Sequence, residues 1–185
     1  MLCIGIIVYT SYMQNRRLTV DPATYTQLLD VIAKAESKGN YNAYFGNPGN
    51  SSIDFTKMSI AQVLEWQADF VRQGNASSAV GKYQIIDTTL SELVRRLAID
   101  VNQPFDKRTQ DSLAIALLER RGAEDYINKE VTSQEFASNL AKEWAGLPKV
   151  IGQDPDKSYY ASDGLNKSQV SVDEVMEAIK PISAK

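Results

Sequence analysis

Apolar residues recur at spacings of three and four along most of this chain, the period of a helix with one buried face. Tyr25, Leu28, Leu29 and Ile32 predict a helix that ends near Glu36. Ser59-x-x-Gln62 is a capping-box pattern before Ile60, Val63, Leu64 and Phe70, and Thr89-x-x-Glu92 is another around Leu90, Leu93, Val94 and Leu97. Asp106 is an N-cap candidate for the run through Leu113, Ile115, Leu117 and Leu118, which Gly122 would close as a C′ residue. Thr132-x-x-Glu135 opens a segment with Phe136, Leu140 and Trp144 inward. Ser171-x-x-Glu174 opens a last helix carrying Val172, Val175, Met176 and Ile179, which Pro181 stops. Two stretches break the pattern. Gly39 to Lys57 is rich in Gly, Asn, Ser and Pro and reads as a loop or small hairpin; Gln73 to Ala79 is a second polar loop. The expectation is a mainly-α domain with a small β-hairpin or irregular lobe.

The first seventeen residues stand apart. Leu2-Cys3-Ile4-Gly5-Ile6-Ile7-Val8-Tyr9 is a compact apolar run, and Arg16-Arg17 follows it. It is shorter than the ~20 residues a spanning helix needs. A secretory signal carries its basic residues before the apolar run, which this chain does not. Residues 1–17 therefore read as an element docked on the protein's own body, or as a tether to a partner or a membrane surface. Residues 18–185 read as one domain.

Composition narrows the chemistry. The 185 residues, 43% hydrophobic and 23% charged, suit one globular domain. A net charge of −3 speaks against a nucleic-acid partner. The histidine count is zero, which removes His triads, His general bases and His metal sites. A single cysteine, Cys3, removes an internal disulfide framework and Cys-cluster metal sites. No cofactor and no metal is expected, and any catalysis falls to Asp, Glu, Lys, Tyr, Ser or Thr.

Glu36 is a carboxylate at a helix C-terminus, directly before the polar run Ser37-Lys38-Gly39-Asn40-Tyr41. The negative end of the helix dipole and burial against aromatics would both raise its pKa, as a general acid requires. A solvated helix-end Glu is the plainer alternative. Gly81-Lys82-Tyr83-Gln84-Ile85-Ile86 is the second constellation: a glycine that allows a ligand close to the backbone, an aromatic face, and an amide that donates and accepts. A buried strand with Tyr83 in the core is the plainer alternative there. Asp54 lies in the first polar loop, either as a second carboxylate or as a brace for a turn. Tyr41, Tyr44, Phe45, Tyr83, Trp144, Tyr159 and Tyr160 supply candidate aromatic faces for a ligand. Tyr44 and Phe45 suit that role through their Gly/Asn loop, whereas Trp144 lies on the inward stripe with Phe136 and Leu140.

Glu36-Ser37 followed 45 residues later by Gly81-x-x-Gln84-Ile85 resembles the lysozyme-like superfamily and its lytic transglycosylases. Further stretches are similar to one branch, the phage lambda endolysin-like transglycosylases and related phage muramidases. They are Ala79 to Ile85, Phe105-Asp106-x-x-Thr109-Gln110-Asp111-x-Leu113-Ala114, Glu119-Arg120-Arg121-Gly122-Ala123 and Glu143-Trp144-Ala145-Gly146-Leu147-Pro148, and the likeness runs from about Leu28 to Leu165. Lys82 departs from the branch, where Arg is usual, and the two differ wherever a contact is bidentate.

The resemblance implies an α+β lysozyme-like fold, with a helical body and a small lobe flanking a substrate cleft. It implies cleavage of the β-1,4 bond between N-acetylmuramic acid and N-acetylglucosamine in peptidoglycan, with Glu36 as general acid. It implies Ser37, Tyr44, Lys82, Tyr83, Gln84, Trp144, Tyr159 and Tyr160 as substrate-binding candidates. A tyrosine from the 159–160 pair is expected to hydrogen-bond Glu36. A transglycosylase needs no second carboxylate; a muramidase would use one, with Asp54 as candidate. A non-catalytic virion adaptor on the same scaffold is the competing reading, since fold does not fix function. The implied setting is a virion tail, or the periplasm and wall of a host.

Overall fold

The computed structural model describes residues 21–164 and 166–182; the expected N-terminal segment 1–17 lies outside them. Among the described residues, seven α-helices carry the fold: α1 Thr26–Ser37, α2 Ile60–Arg72, α3 Asp87–Leu97, α4 Lys107–Arg120, α5 Ala123–Ile127, α6 Ser133–Ala141 and α7 Val172–Ile179. Short 3₁₀ turns sit at Pro22–Tyr25, Phe55–Lys57, Ala161–Asp163 and Lys180–Ile182. The chain forms two compact units, with the division falling inside α4. Among the described residues, one comprises Asn40–Leu113, and the other 21–39 with 114–164 and 166–182.

In the second unit, α1 buries Leu28, Leu29, Ile32, Ala33 and Ala35 on one stripe. Helix α7 packs on α1 and α6 and inserts Val175, Ala178 and Ile179. Burying one such Leu or Ile contributes about 1.5–3 kcal/mol, so this three-helix contact stabilises the unit by several kcal/mol before entropy is counted. Three of the expected capping boxes are present, at Ser59/Gln62, Thr132/Glu135 and Ser171/Glu174, each with both reciprocal bonds. Asp106 accepts from the Thr109 N–H at 2.8 Å, and Gly122 takes the left-handed conformation expected after α4.

Two expectations need correction. Thr89 does not cap α3, which starts at Asp87 and has Ile86 as its N-cap without a side-chain bond. Ser78 takes over, its hydroxyl donating to Asp87 Oδ1 at 2.8 Å and accepting from the Asp87 N–H at 3.0 Å. A partner distant in sequence thus outcompetes the local box. The helix of Phe136 and Leu140 ends at Ala141, short of Trp144, although Trp144 is inward as expected, 3% exposed, with its backbone N–H donating to the Leu140 carbonyl at 3.0 Å.

The first unit holds α2 packed on α3 and an irregular lobe. No hairpin forms. Among the described residues, pairing is confined to isolated bridges, including Tyr44 with Asn47 and with Val80, and Val80 with Ile85. Asparagine side chains explain this. Asn50, 5% exposed, donates to the carbonyls of Asn42 and Ile53 and accepts from the N–H groups of Ser52 and Ile53. Asn40 donates to the carbonyls of Pro48 and Asn50, and Asn42 accepts from the Thr56 N–H. Side-chain amides satisfy backbone groups that a strand ladder would otherwise pair, so the segment is ordered without strands.

Gly81 shows the tightest steric constraint in this unit. Its φ is +81°, and a Cβ there would overlap the Gln110 amide and stand 3.2 Å from Phe105. On the side where a Cβ would stand, Gln110 is what approaches this backbone. Gln110, 1% exposed, accepts from the Lys82 N–H and donates to the carbonyls of Tyr41 and Phe105. Replacement of Gly81 by alanine combines a left-handed penalty with displacement of a buried, triply bonded amide. Gly81→Ala is expected to lower unfolding stability by about 2–4 kcal/mol, read from the urea midpoint. An unchanged midpoint would show that Gln110 yields without cost.

Candidate functional site

Glu36 stands one residue before the end of α1, which Lys38 terminates in the left-handed conformation at φ 57°. The residue is partly exposed, but its carboxyl group is packed in protein. Burial raises its pKa to about 7, and the Gly146 N–H pulls the other way. That N–H donates to Oε1 at 2.8 Å. The other oxygen, Oε2, has no hydrogen-bond partner among the described residues. Gly146 has to be glycine: a Cβ would stand 2.9 Å from both the Ala35 carbonyl oxygen and Glu36 Oε1.

The turn that carries Gly146 is held from several sides, all within the same unit. Glu143 has a side chain only 7% exposed and takes Arg120 at 2.7 Å and Arg121 at 2.7 Å. The Gln169 N–H donates to the Gly146 carbonyl at 2.8 Å. The Ser158 hydroxyl donates to the Ala145 carbonyl at 2.6 Å. Trp144, buried beside these groups in sequence, offers no open ring face. Ser37 is fully buried, and its hydroxyl donates back to the Ala33 carbonyl at 3.3 Å.

The tyrosine expected beside Glu36 is engaged elsewhere. The Tyr160 hydroxyl donates to the Lys142 carbonyl at 2.8 Å. Tyr159, 49% exposed, stacks edge-on against Tyr160 and lines a polar cavity of about 760 Å³ within residues 149–168. Lys149, Lys157, Asn166 and Lys167 share that lining.

In the first unit, Lys82 points into an aromatic cage. Its ammonium lies 4.9 Å from the Tyr41 ring centre and 5.2 Å from that of Tyr83. It also sits 3.2 Å from the Tyr41 hydroxyl and 3.7 Å from Asp111. Both tyrosine hydroxyls donate to Asp111, at 2.9 Å from Tyr41 and 2.7 Å from Tyr83. Tyr83 is 1% exposed, so its ring is core and its hydroxyl braces Asp111. Gln84 is a non-glycine residue at φ 47°, and its amide closes back on the Gly81 carbonyl at 3.0 Å.

Tyr44 belongs to an aromatic cluster that the loop composition did not reveal. Trp66 and Phe70, one helical turn apart on α2, stack at 4.6 Å, and Tyr44 meets both edge-on at 5.3 and 5.5 Å. The signal was present as an i, i+4 aromatic pair in α2. Asp54 braces a turn: it pairs with Lys57 at 2.8 Å and accepts from the Thr56 hydroxyl. Hydrogen bonds from Lys57 and then Thr56 hold its carboxyl down at about 2. Three participants escaped the sequence reading as individuals: Gly146 and Ser158 around Glu36, and Asp111 under the cage. Gly146 and Asp111 each lay within a stretch noted only for its family likeness.

Among the described residues, no group of acidic or cysteine side chains is placed to hold a metal, and no helix is long and apolar enough to cross a membrane. Residues 26–168 match the family described as Endolysin. The match spans well over half of the chain, and the chain belongs to that family: phage-encoded, lysozyme-like proteins that degrade the peptidoglycan of the bacterial wall. No curated protein and no solved structure matches it.

Glu36 makes stability depend on pH in a definite direction. Its folded pKa of about 7 exceeds the ordinary 4.5, so the folded state holds the proton longer. The stabilising contribution is complete below about 4.5 and is lost as pH rises to about 7, an effect of at most about 3 kcal/mol. Glu36→Gln, which cannot ionise, is expected to raise the melting temperature by about 4–10 °C at pH 8 and to leave it almost unchanged at pH 4. Equal effects at the two pH values would contradict a buried, proton-retaining carboxyl.

Proposed function

We propose that this endolysin-family protein is a lytic transglycosylase acting on the MurNAc–GlcNAc β-1,4 bond of peptidoglycan, with Glu36 as its single acid–base. The observation that carries this reading is the desolvated carboxyl at the end of α1, with one oxygen occupied by the Gly146 N–H and a pKa near 7. At neutral pH a substantial fraction stays protonated. With Oε1 accepting from Gly146, Oε2 is the oxygen that carries the transferable proton.

The proton passes from Oε2 to the glycosidic oxygen, the C1–O bond breaks, and positive charge develops at the muramyl C1. The carboxylate left on Glu36 then takes the proton of the muramyl 6-hydroxyl as that oxygen bonds to C1. The products are a 1,6-anhydromuramyl end and a free GlcNAc 4-hydroxyl, with Glu36 reprotonated. No second carboxylate enters, and Asp54, held by Lys57 and Thr56, supports its absence. Lys82, Gln84, Tyr44 and Tyr159 are proposed as glycan contacts. Ser37, Tyr83, Trp144 and Tyr160 are proposed to support the site from buried or bonded positions. The proposed setting is a phage tail, or the wall of a lysing host, with residues 1–17 as a tether to a tail protein or membrane surface.

Glu36→Gln is expected to lower clearing of a cell-wall suspension by about 10²–10⁴-fold with unchanged circular dichroism. Retained clearing overturns the assignment. Mass spectrometry of the released muropeptides is expected to show anhydro ends; reducing ends would identify a muramidase instead. Activity is expected to fall as pH rises through about 7, where Glu36 loses its proton.

A further inference from the structure

Ser158 and Glu36 hydrogen-bond to opposite ends of one peptide group. The Ser158 hydroxyl donates to the Ala145 carbonyl at 2.6 Å, and the N–H of the same peptide, on Gly146, donates to Glu36 Oε1 at 2.8 Å. We propose that Ser158 is a positioning residue for Glu36, acting through the Ala145–Gly146 peptide. The inference rests on the assignment of Glu36 as the acid–base.

Three features carry it. First, a hydrogen bond received by a carbonyl polarises the peptide and strengthens donation by its N–H, so the two bonds are coupled. Second, Ser158 is 1% exposed, and its hydroxyl donates to that one carbonyl while its oxygen accepts from the Tyr160 N–H at 3.2 Å. Water does not replace a donor in that place at no cost. Third, the peptide is the central one of the Trp144–Leu147 turn, which the Leu147 N–H closes on the Trp144 carbonyl at 3.1 Å, and its own carbonyl is oriented by a side chain. The Ala145 carbonyl is aimed by Ser158, whereas Glu143 and Gln169 hold the residues on either side of it. Gly146 has no side chain to lodge the turn, because a Cβ would strike Ala35 and Glu36. A central turn peptide that includes glycine can flip without opening the turn, and the Ser158 hydroxyl opposes that flip.

The consequence is selection between the two carboxyl oxygens. A fixed N–H on Oε1 keeps the proton on Oε2 and stabilises the carboxylate formed after transfer. Burial is the larger influence on Glu36, and the Gly146 N–H, which pulls the other way, is the influence that Ser158 can modulate. Ser158 also lies at the edge of the polar cavity lined by Tyr159 and Lys149, which connects the hold on Glu36 to the segment 149–168.

The test is a side-chain carbon NMR titration of Glu36 in the full chain. Ser158→Ala is expected to raise the Glu36 midpoint by about half a pH unit or more, since it removes the polarisation and releases the peptide. Ser158→Thr, which retains the hydroxyl, is expected to restore the midpoint. A purely structural serine would lower the melting temperature and leave the midpoint within 0.1, and that result overturns the proposal. Should Ser158→Ala not fold, the wild-type chain still decides the matter. The Ser158 side-chain carbon is expected to titrate with the Glu36 midpoint alongside the Ala145 carbonyl carbon and the Gly146 amide proton, and a flat Ser158 response overturns it. None of these measurements reads activity, so failure of the Glu36 assignment, seen as retained clearing by Glu36→Gln, is distinguishable from failure of this one.

Discussion

A carboxyl group taken out of water keeps its proton unless something nearby stabilises the charge, and in this protein a single backbone N–H provides that stabilisation. Glu36 lies between these two influences, with burial the stronger. Much of the unit around it follows from accommodating that one contact. Residue 146 is glycine because any side chain would occupy the space of the Ala35 carbonyl and the Glu36 carboxyl. The turn is then anchored from outside itself, through Glu143 and its two arginines, Gln169 and Ser158. The buried Glu143 cluster is matched in geometry on both carboxyl oxygens, which offsets the desolvation of its charge.

The other unit solves a different problem with similar means. Its lobe has little regular structure, so the backbone polar groups are satisfied by Asn40, Asn42, Asn50 and Gln110 rather than by a ladder. The Lys82 ammonium is held over two tyrosine rings whose hydroxyls share Asp111. This arrangement gives a reason for lysine where the resembled branch usually has arginine. A compact ammonium fits over two rings and reaches a hydroxyl at 3.2 Å, with no bidentate partner needed.

Helices were the most legible part of the chain, because period and caps are local. Ser59, Thr132 and Ser171 capped as their spacing implied, since the reciprocal bonds run between residues three apart. Thr89 failed because Ser78, eleven residues earlier, reaches the start of α3 first. Trp144 was legible as inward from its spacing with Phe136 and Leu140, whereas Tyr83 stood open between a core ring and a ligand face, because burial there depends on what packs over the ring. Tyr160 was legible as a hydroxyl near the end of the chain, and its acceptor, the Lys142 carbonyl, was not.

What the sequence determined by itself was the mainly helical character, the absence of histidine and cysteine-cluster chemistry, and Glu36 as the carboxylate at the end of an apolar helix. These depend on residue type and on spacings of three and four. The tertiary structure decided whether that carboxyl is solvated or buried, which peptide N–H meets it, and that the serine 122 residues further on holds the same peptide. It also decided that Gly81 makes room for Gln110 and that Asp54 is bound to its own turn. Such outcomes come from contacts between distant parts of the chain, and a pattern of local spacings carries no record of which distant atoms meet.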